Sequence, residues 1–130
     1  MSGIKFLNLA EVMEIHRDQI ARYGGSAGLR DLNMLKSAVA MPQATFGGTF
    51  LHSDIFEMAA AYLFHVVKNH PFLDGNKRVG AVAAIVFLEL NGYDFTAREQ
   101  ELAETVFGLA RSELTKADIA LFIRKWALRR

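Results

Sequence analysis

The chain has 130 residues, 52% apolar and 22% charged, with two prolines and no cysteine; it is long enough to bury its own core as one domain over residues 1–130, without disulfides or thiol-based metal sites. A net charge of +1 gives no global case for direct nucleic-acid binding. Glu11 and Glu14 interrupt the opening stretch MSGIKFLNLAEVMEIH before a signal-peptide core can form, and the longest uncharged run, Val79 to Leu88, is too short for a bilayer; both point to a cytoplasmic protein with no membrane contact.

Apolar residues recur at spacings of three and four, which predicts a mostly helical fold. Asn8 is placed to cap a first helix that runs to about Tyr23 and stops at Gly24 and Gly25. A second, short helix spans about Asp31 to Ala40, since Pro42 disfavours helical geometry in the residue before it. QATFGGTFLH, Gln43 to His52, is too glycine-rich for a helix and reads as an ordered flap or hairpin. Ser53 then opens a long core helix to about Asn69, with Ile55, Phe56, Ala59, Tyr62, Leu63, Val66 and Val67 on its apolar face. A second core helix starts near Gly75 and ends at Asn91 and Gly92, and the short link makes the two an antiparallel hairpin. YDF reads as a strand fragment, Thr96 with Glu99 as a capping box opening a helix to about Ala110, and Thr115 as the start of a last helix. The tail cations Arg124, Lys125, Arg129 and Arg130 read as one solvated helix face, and the free chain as a monomer.

The chemistry gathers in HPFLDGNKR, His70 to Arg78, at the start of the second core helix. The first amides of a helix lack partners within it, and with the positive end of the dipole they bind anions. Gly75 lets a ligand approach the backbone, and Lys77 and Arg78 add cationic donors. Asp74 is the one carboxylate near such a phosphate, which suits magnesium, and His70 is placed to accept a proton from a hydroxyl. Together these point to phosphoryl or nucleotidyl transfer, although Asp-Gly is also a common turn and Asn76 a common helix starter. The segment is not a Walker loop, because Arg78 stands where Ser or Thr would follow the lysine. Phe72 reads as the apolar anchor of the loop. His65 and His16 read as packed histidines and Met34, Met41 and Met58 as packing; His52 takes the same default, with the flap edge as its alternative.

HPFLDGNKR resembles the signature H-x-F-x-[D/E]-G-N-x-R of the Fic/Doc superfamily. Further similarity to its Doc (death-on-curing) branch extends through RYGGSAGLRDLNMLKSAVAMPQATFGG, AAAYLFHVVKNHPF and FLELNGYDF. The resemblance implies the all-α Fic-type bundle, with a central antiparallel helix hairpin and a flap that holds the target by strand addition somewhere in Thr45 to His52. It implies ATP as donor, a protein hydroxyl as acceptor, His70 as base, Phe72 as anchor, Asp74 as magnesium ligand, Gly75 and Asn76 as anion hole and Arg78 as phosphate contact. AMP-transferring Fic proteins usually have glycine at Lys77 and an arginine at Ala81, whereas lysine at the former is the Doc pattern. Doc resemblance therefore implies γ-phosphate transfer to a threonine of elongation factor Tu, arresting translation, by a toxin held by a separate antitoxin. The inhibitory motif [S/T]-x-x-x-E-[G/N] does not occur, Met58 following Ser53 to Glu57, and Val82 stands where Doc has a polar residue. The alternatives are a Fic-type nucleotidyltransferase (AMPylation) of a protein hydroxyl and a catalytically silent binding module.

Overall fold

A computed structural model of the protein describes residues 3–130; Met1 and Ser2, the first residues of the stretch read for a signal peptide, lie outside the described residues. The expected all-α architecture holds. The helices are α1 (Leu9–Tyr23), α2 (Leu32–Ala40), α3 (Ile55–Asn69), α4 (Asn76–Leu90), α5 (Glu99–Ala110) and α6 (Lys116–Trp126). Four short strands, β1 (Thr45–Phe46), β2 (Thr49–Phe50), β3 (Tyr93–Phe95) and β4 (Ala127–Arg129), form two antiparallel pairs.

Helix starts follow local capping chemistry. Asn8 and Thr115 close full capping boxes with Glu11 and Asp118, and Asp31 caps α2 from just outside it. Two expected starts shift. Asp54 rather than Ser53 caps α3, accepting from the Glu57 amide at 2.8 Å, while the Glu57 carboxylate reaches back to the Ser53 amide at 3.2 Å. Thr96 does not cap α5: its amide and hydroxyl both donate to the Trp126 carbonyl at 2.8 Å, and α5 starts at Glu99, with Arg98 at the cap position making no side-chain cap.

The central hairpin is α3 and α4 packed against each other, with α2 and α6 also against α3 and α1 and α5 against α4. Tyr62, Leu63, Val66, Val79, Ala83, Phe87 and Leu88 are buried where they meet. The Tyr62 hydroxyl accepts from the Leu7 amide at 2.8 Å and faces the Leu7 carbonyl at 3.2 Å, pinning the lead-in to α1. The flap is the β1–β2 hairpin, turning at Gly47 and Gly48, with Phe46 84% exposed at its tip. Met58 is buried and Met41 partly so, but Met34, read as packing, is exposed.

The basic tail is not one solvated helix face. Arg124 pairs with Asp54 at 2.6 Å, and after Trp126 the chain leaves the helix so that β4 pairs with β3, Tyr93 opposite Arg129, with Arg130 bridging to Asp94 at 2.7 Å. No described helix is long and apolar enough to cross a membrane.

Candidate functional site

The site lies where the C-terminal end of α3 faces the N-terminal start of α4. His70 ends α3 in a left-handed conformation (φ 49°, ψ 53°), a region that non-glycine residues enter rarely. The chain then turns through Pro71, Phe72, Leu73 and Asp74 to Gly75, also left-handed (φ 81°), which opens α4. Whereas α1, α2, α3 and α6 are capped by a side chain, α4 is not. Its opening amides therefore face a cleft of about 680 Å³ that runs between the loop and α5.

The loop is held from within by Asn76. Its side chain accepts from the Phe72 amide at 2.9 Å and donates to the Phe72 carbonyl at 3.0 Å, which fixes which end of the amide is nitrogen. That nitrogen also meets His70 Nδ1 at 3.1 Å. An amide nitrogen only donates, so Nδ1 accepts and the neutral ring carries its proton on Nε2. The Asn76 side chain is thus engaged inside the loop, and what it offers an anion is its backbone N–H.

Phe72 is 1% exposed. Its ring stacks on His16, centroids 3.9 Å apart and 5° from parallel, and His16 Nε2 donates to the Asp74 carbonyl at 3.0 Å. His16 is packed, as expected, on the buried face of α1 with Val12 and Gln19, but packed against the loop itself. The Asp74 carboxylate accepts from the Gly75 amide at 2.8 Å and from the Ser26 amide at 3.3 Å. Gly25 lies so close that a Cβ there would sit 2.7 Å from Asp74 Oδ2.

Lys77 and Arg78 are exposed on the first turn of α4 and make no ion pair among the described residues. Lys77 Nζ reaches over the Phe107 ring of α5 at 5.9 Å, and the Arg78 guanidinium lies 4.7 Å over Tyr23. Leu102, Val106 and Phe107 of α5 form an apolar far wall, with Ala81 at the floor. His70, Asp74, Gly75, Asn76, Lys77 and Arg78 all line this cleft; Phe72 and Val82 do not. Sequence reading missed the part played by residues brought from elsewhere: His16, Ser26, Arg30, whose guanidinium donates to the His70 carbonyl, and the α5 wall.

The other histidines lie apart from the cleft. His52 is buried with Nδ1 unpartnered, and burial followed by the Lys116 charge holds it below its ordinary pKa. His65, read as packed, is half-buried; burial, then Lys116, pushes it down to about 4. Lys116 Nζ donates to His65 Nε2 at 3.1 Å.

An all-α bundle whose central hairpin turns through a histidine, an aspartate and an open helix start is the Fic type of site. The model of the Fic/DOC family matches residues 6–88, and the chain belongs to that family. It is 30% identical over 122 residues to "Protein kinase doc" of Escherichia phage P1, covering 94% of this chain and 95% of that one. It is also 41% identical over 75 residues, 58% of each chain, to "Toxin Doc" of Mycolicibacterium smegmatis (strain ATCC 700084 / mc(2)155). The chain falls in the Doc branch.

Proposed function

We propose that residues 1–130 act as one Fic/Doc-type toxin domain that transfers the γ-phosphate of ATP to a hydroxyl, of threonine, on a translation factor such as elongation factor Tu, and that a separate antitoxin restrains it. The observation that carries this reading is the uncapped start of α4, with two cations on its first turn and a histidine across the loop, at the mouth of a cleft with an apolar far wall. The name of the phage P1 relative, a protein kinase, supports transfer of a phosphoryl group.

In this step the target oxygen forms a bond to the γ-phosphorus as the bond from that phosphorus to the β-bridging oxygen breaks, and ADP leaves. The hydroxyl proton passes to His70 Nε2. That requires the ring proton to sit on Nδ1, so the contact with the Asn76 amide gives way; in the free protein the ring rests in the other tautomer. The α4 amides, Lys77 and Arg78 balance the charge on the phosphates. The β1–β2 hairpin holds the target segment along a strand edge.

Among the described residues no cluster of three potential ligands could hold a metal alone. Magnesium needs only one or two carboxylates when phosphates supply other ligands, and Asp74, pinned by two amides with lone pairs left over, fits that arrangement. Held by Asp74, it would offset the charge on the phosphates.

The test is incubation with magnesium, elongation factor Tu and ATP labelled at either the α- or the γ-phosphate. Label from γ, lost in His70→Ala, is the expected result. Label from α means nucleotidyl transfer, and no label from either means that the cleft serves binding alone or that the target is another protein.

A further inference from the structure

We infer that Arg30, on the loop between α1 and α2, is a positioning residue for His70. This rests on the reading of His70 as the base. Arg30 is exposed, and among the described residues it makes no ion pair. Its guanidinium instead donates from Nε to the His70 carbonyl at 2.6 Å and from Nη2 to the Asn69 carbonyl at 2.8 Å. These are the last carbonyls of α3, which lack donors within the helix and carry the negative end of its dipole. A planar fork spanning two successive carbonyls fixes the peptide between them in orientation, which a lysine ammonium does not.

The backbone of the same residue holds the other side of the turn. The amides of Arg30 and Asp31 donate to the Pro71 carbonyl at 2.7 and 3.0 Å, Leu29 and Phe72 form an antiparallel bridge, and the Leu73 amide donates to Gly28 at 3.1 Å. Residues 28–31 thus lie along the catalytic loop as a short template, and Arg30 grips the chain before and after the left-handed His70. With the backbone held there, the His70 ring meets Asn76. Water could satisfy the same carbonyls in an exposed site, but it would not impose the angle. The role is therefore geometric, and its loss falls on the chemical step rather than on folding.

The experiment compares wild type, Arg30→Ala and Arg30→Lys as full chains. It measures kcat and KM for ATP in transfer to elongation factor Tu, together with the NMR signals of the His70 ring and the Asn76 side-chain amide. We expect Arg30→Ala to lower kcat roughly 10- to 100-fold, the scale of a misplaced catalytic group, with KM changed less than about twofold. Arg30→Lys should recover little, millimolar methylguanidinium should partly restore Arg30→Ala, and the His70 and Asn76 signals should move in both variants. A raised KM with unchanged kcat overturns the proposal, because Arg30 would then contact substrate. So does a fully active Arg30→Lys, which would make charge alone sufficient. Should wild type transfer no phosphate, the kinase reading fails while the NMR signals still decide: signals that move support the positioning role, and unmoved signals overturn it.

Discussion

Asp74 shows how few atoms set the site at the scale of single residues. Its carboxylate is placed by two amides and by the missing side chain of Gly25, where a Cβ would meet Oδ2 at 2.7 Å and Ile20 Cδ1 at 3.1 Å. Gly25 is also left-handed (φ 115°), a conformation that strains other residues. On the proposed role of Asp74 as magnesium ligand, Gly25→Ala should push the carboxylate away and raise the magnesium requirement of ATP binding several-fold, at a stability loss of about 1–3 kcal/mol; magnesium titration of ATP affinity and a urea midpoint check the two effects. Phe72 anchors the same turn from below, fully buried and stacked on His16. Removing its ring leaves a cavity under the loop, so Phe72→Ala should cost about 3–5 kcal/mol, read by urea unfolding. Phe72→Leu, which keeps much of the volume but loses the stack, should lower transfer more than stability.

At the scale of elements, local chemistry decides the helices and distant pairing decides their exceptions. Thr115 and Asp118 close a capping box at α6 with contacts of 3.1 and 2.8 Å. Thr115→Ala should cost about 1 kcal/mol and lower the melting temperature by a few degrees, with transfer rates unchanged because α6 does not line the cleft. Thr115 and Asn8 were legible as helix starts because a cap and the amide it meets lie within one turn, whereas their box partners Asp118 and Glu11 were not singled out as such. The Thr96 and Glu99 pair has the same spacing, yet Thr96 is drawn to Trp126 by the pairing of β3 with β4, which no local pattern announces. β4 itself read as a continued helix, since Ala127–Arg129 becomes a strand only because β3 offers it an edge. The cap of α3 moved by one residue because Ser53 and Asp54 are both good caps, and Glu57 serves both. The linear part of the site, His70 to Arg78, stood out because its residues are contiguous. His16, Ser26 and Arg30 did not, because each meets the loop only through the fold.

For the molecule as a whole, the packing of α6 on α3 contains an acid-sensitive joint away from the cleft. His65 on α3 accepts from Lys116 on α6, and His52, just before α3, is buried nearby. Burial and the Lys116 charge hold the folded pKa of His65 at about 4, below its ordinary 6.5. Between those values the unfolded chain binds a proton that the folded chain refuses. Stability therefore rises with pH through that window: the contribution is fully present above pH 6.5 and is lost as pH falls toward 4. One proton sets a ceiling of about 1.4 kcal/mol per pH unit, and a half-exposed ring screened by water contributes less. His52, whose pKa is also held down by burial first and Lys116 second, adds in the same direction. The check is urea unfolding at intervals from pH 4 to pH 8 for wild type and His65→Gln, whose side-chain oxygen can still accept from Lys116 but does not titrate. The wild-type midpoint should fall steadily below pH 6.5, and the variant should fall less over the same range while matching it at pH 8. Parallel curves would mean that His65 accepts its proton as readily in the folded chain as in the unfolded one, and that the acid sensitivity of the α3–α6 contact lies with His52.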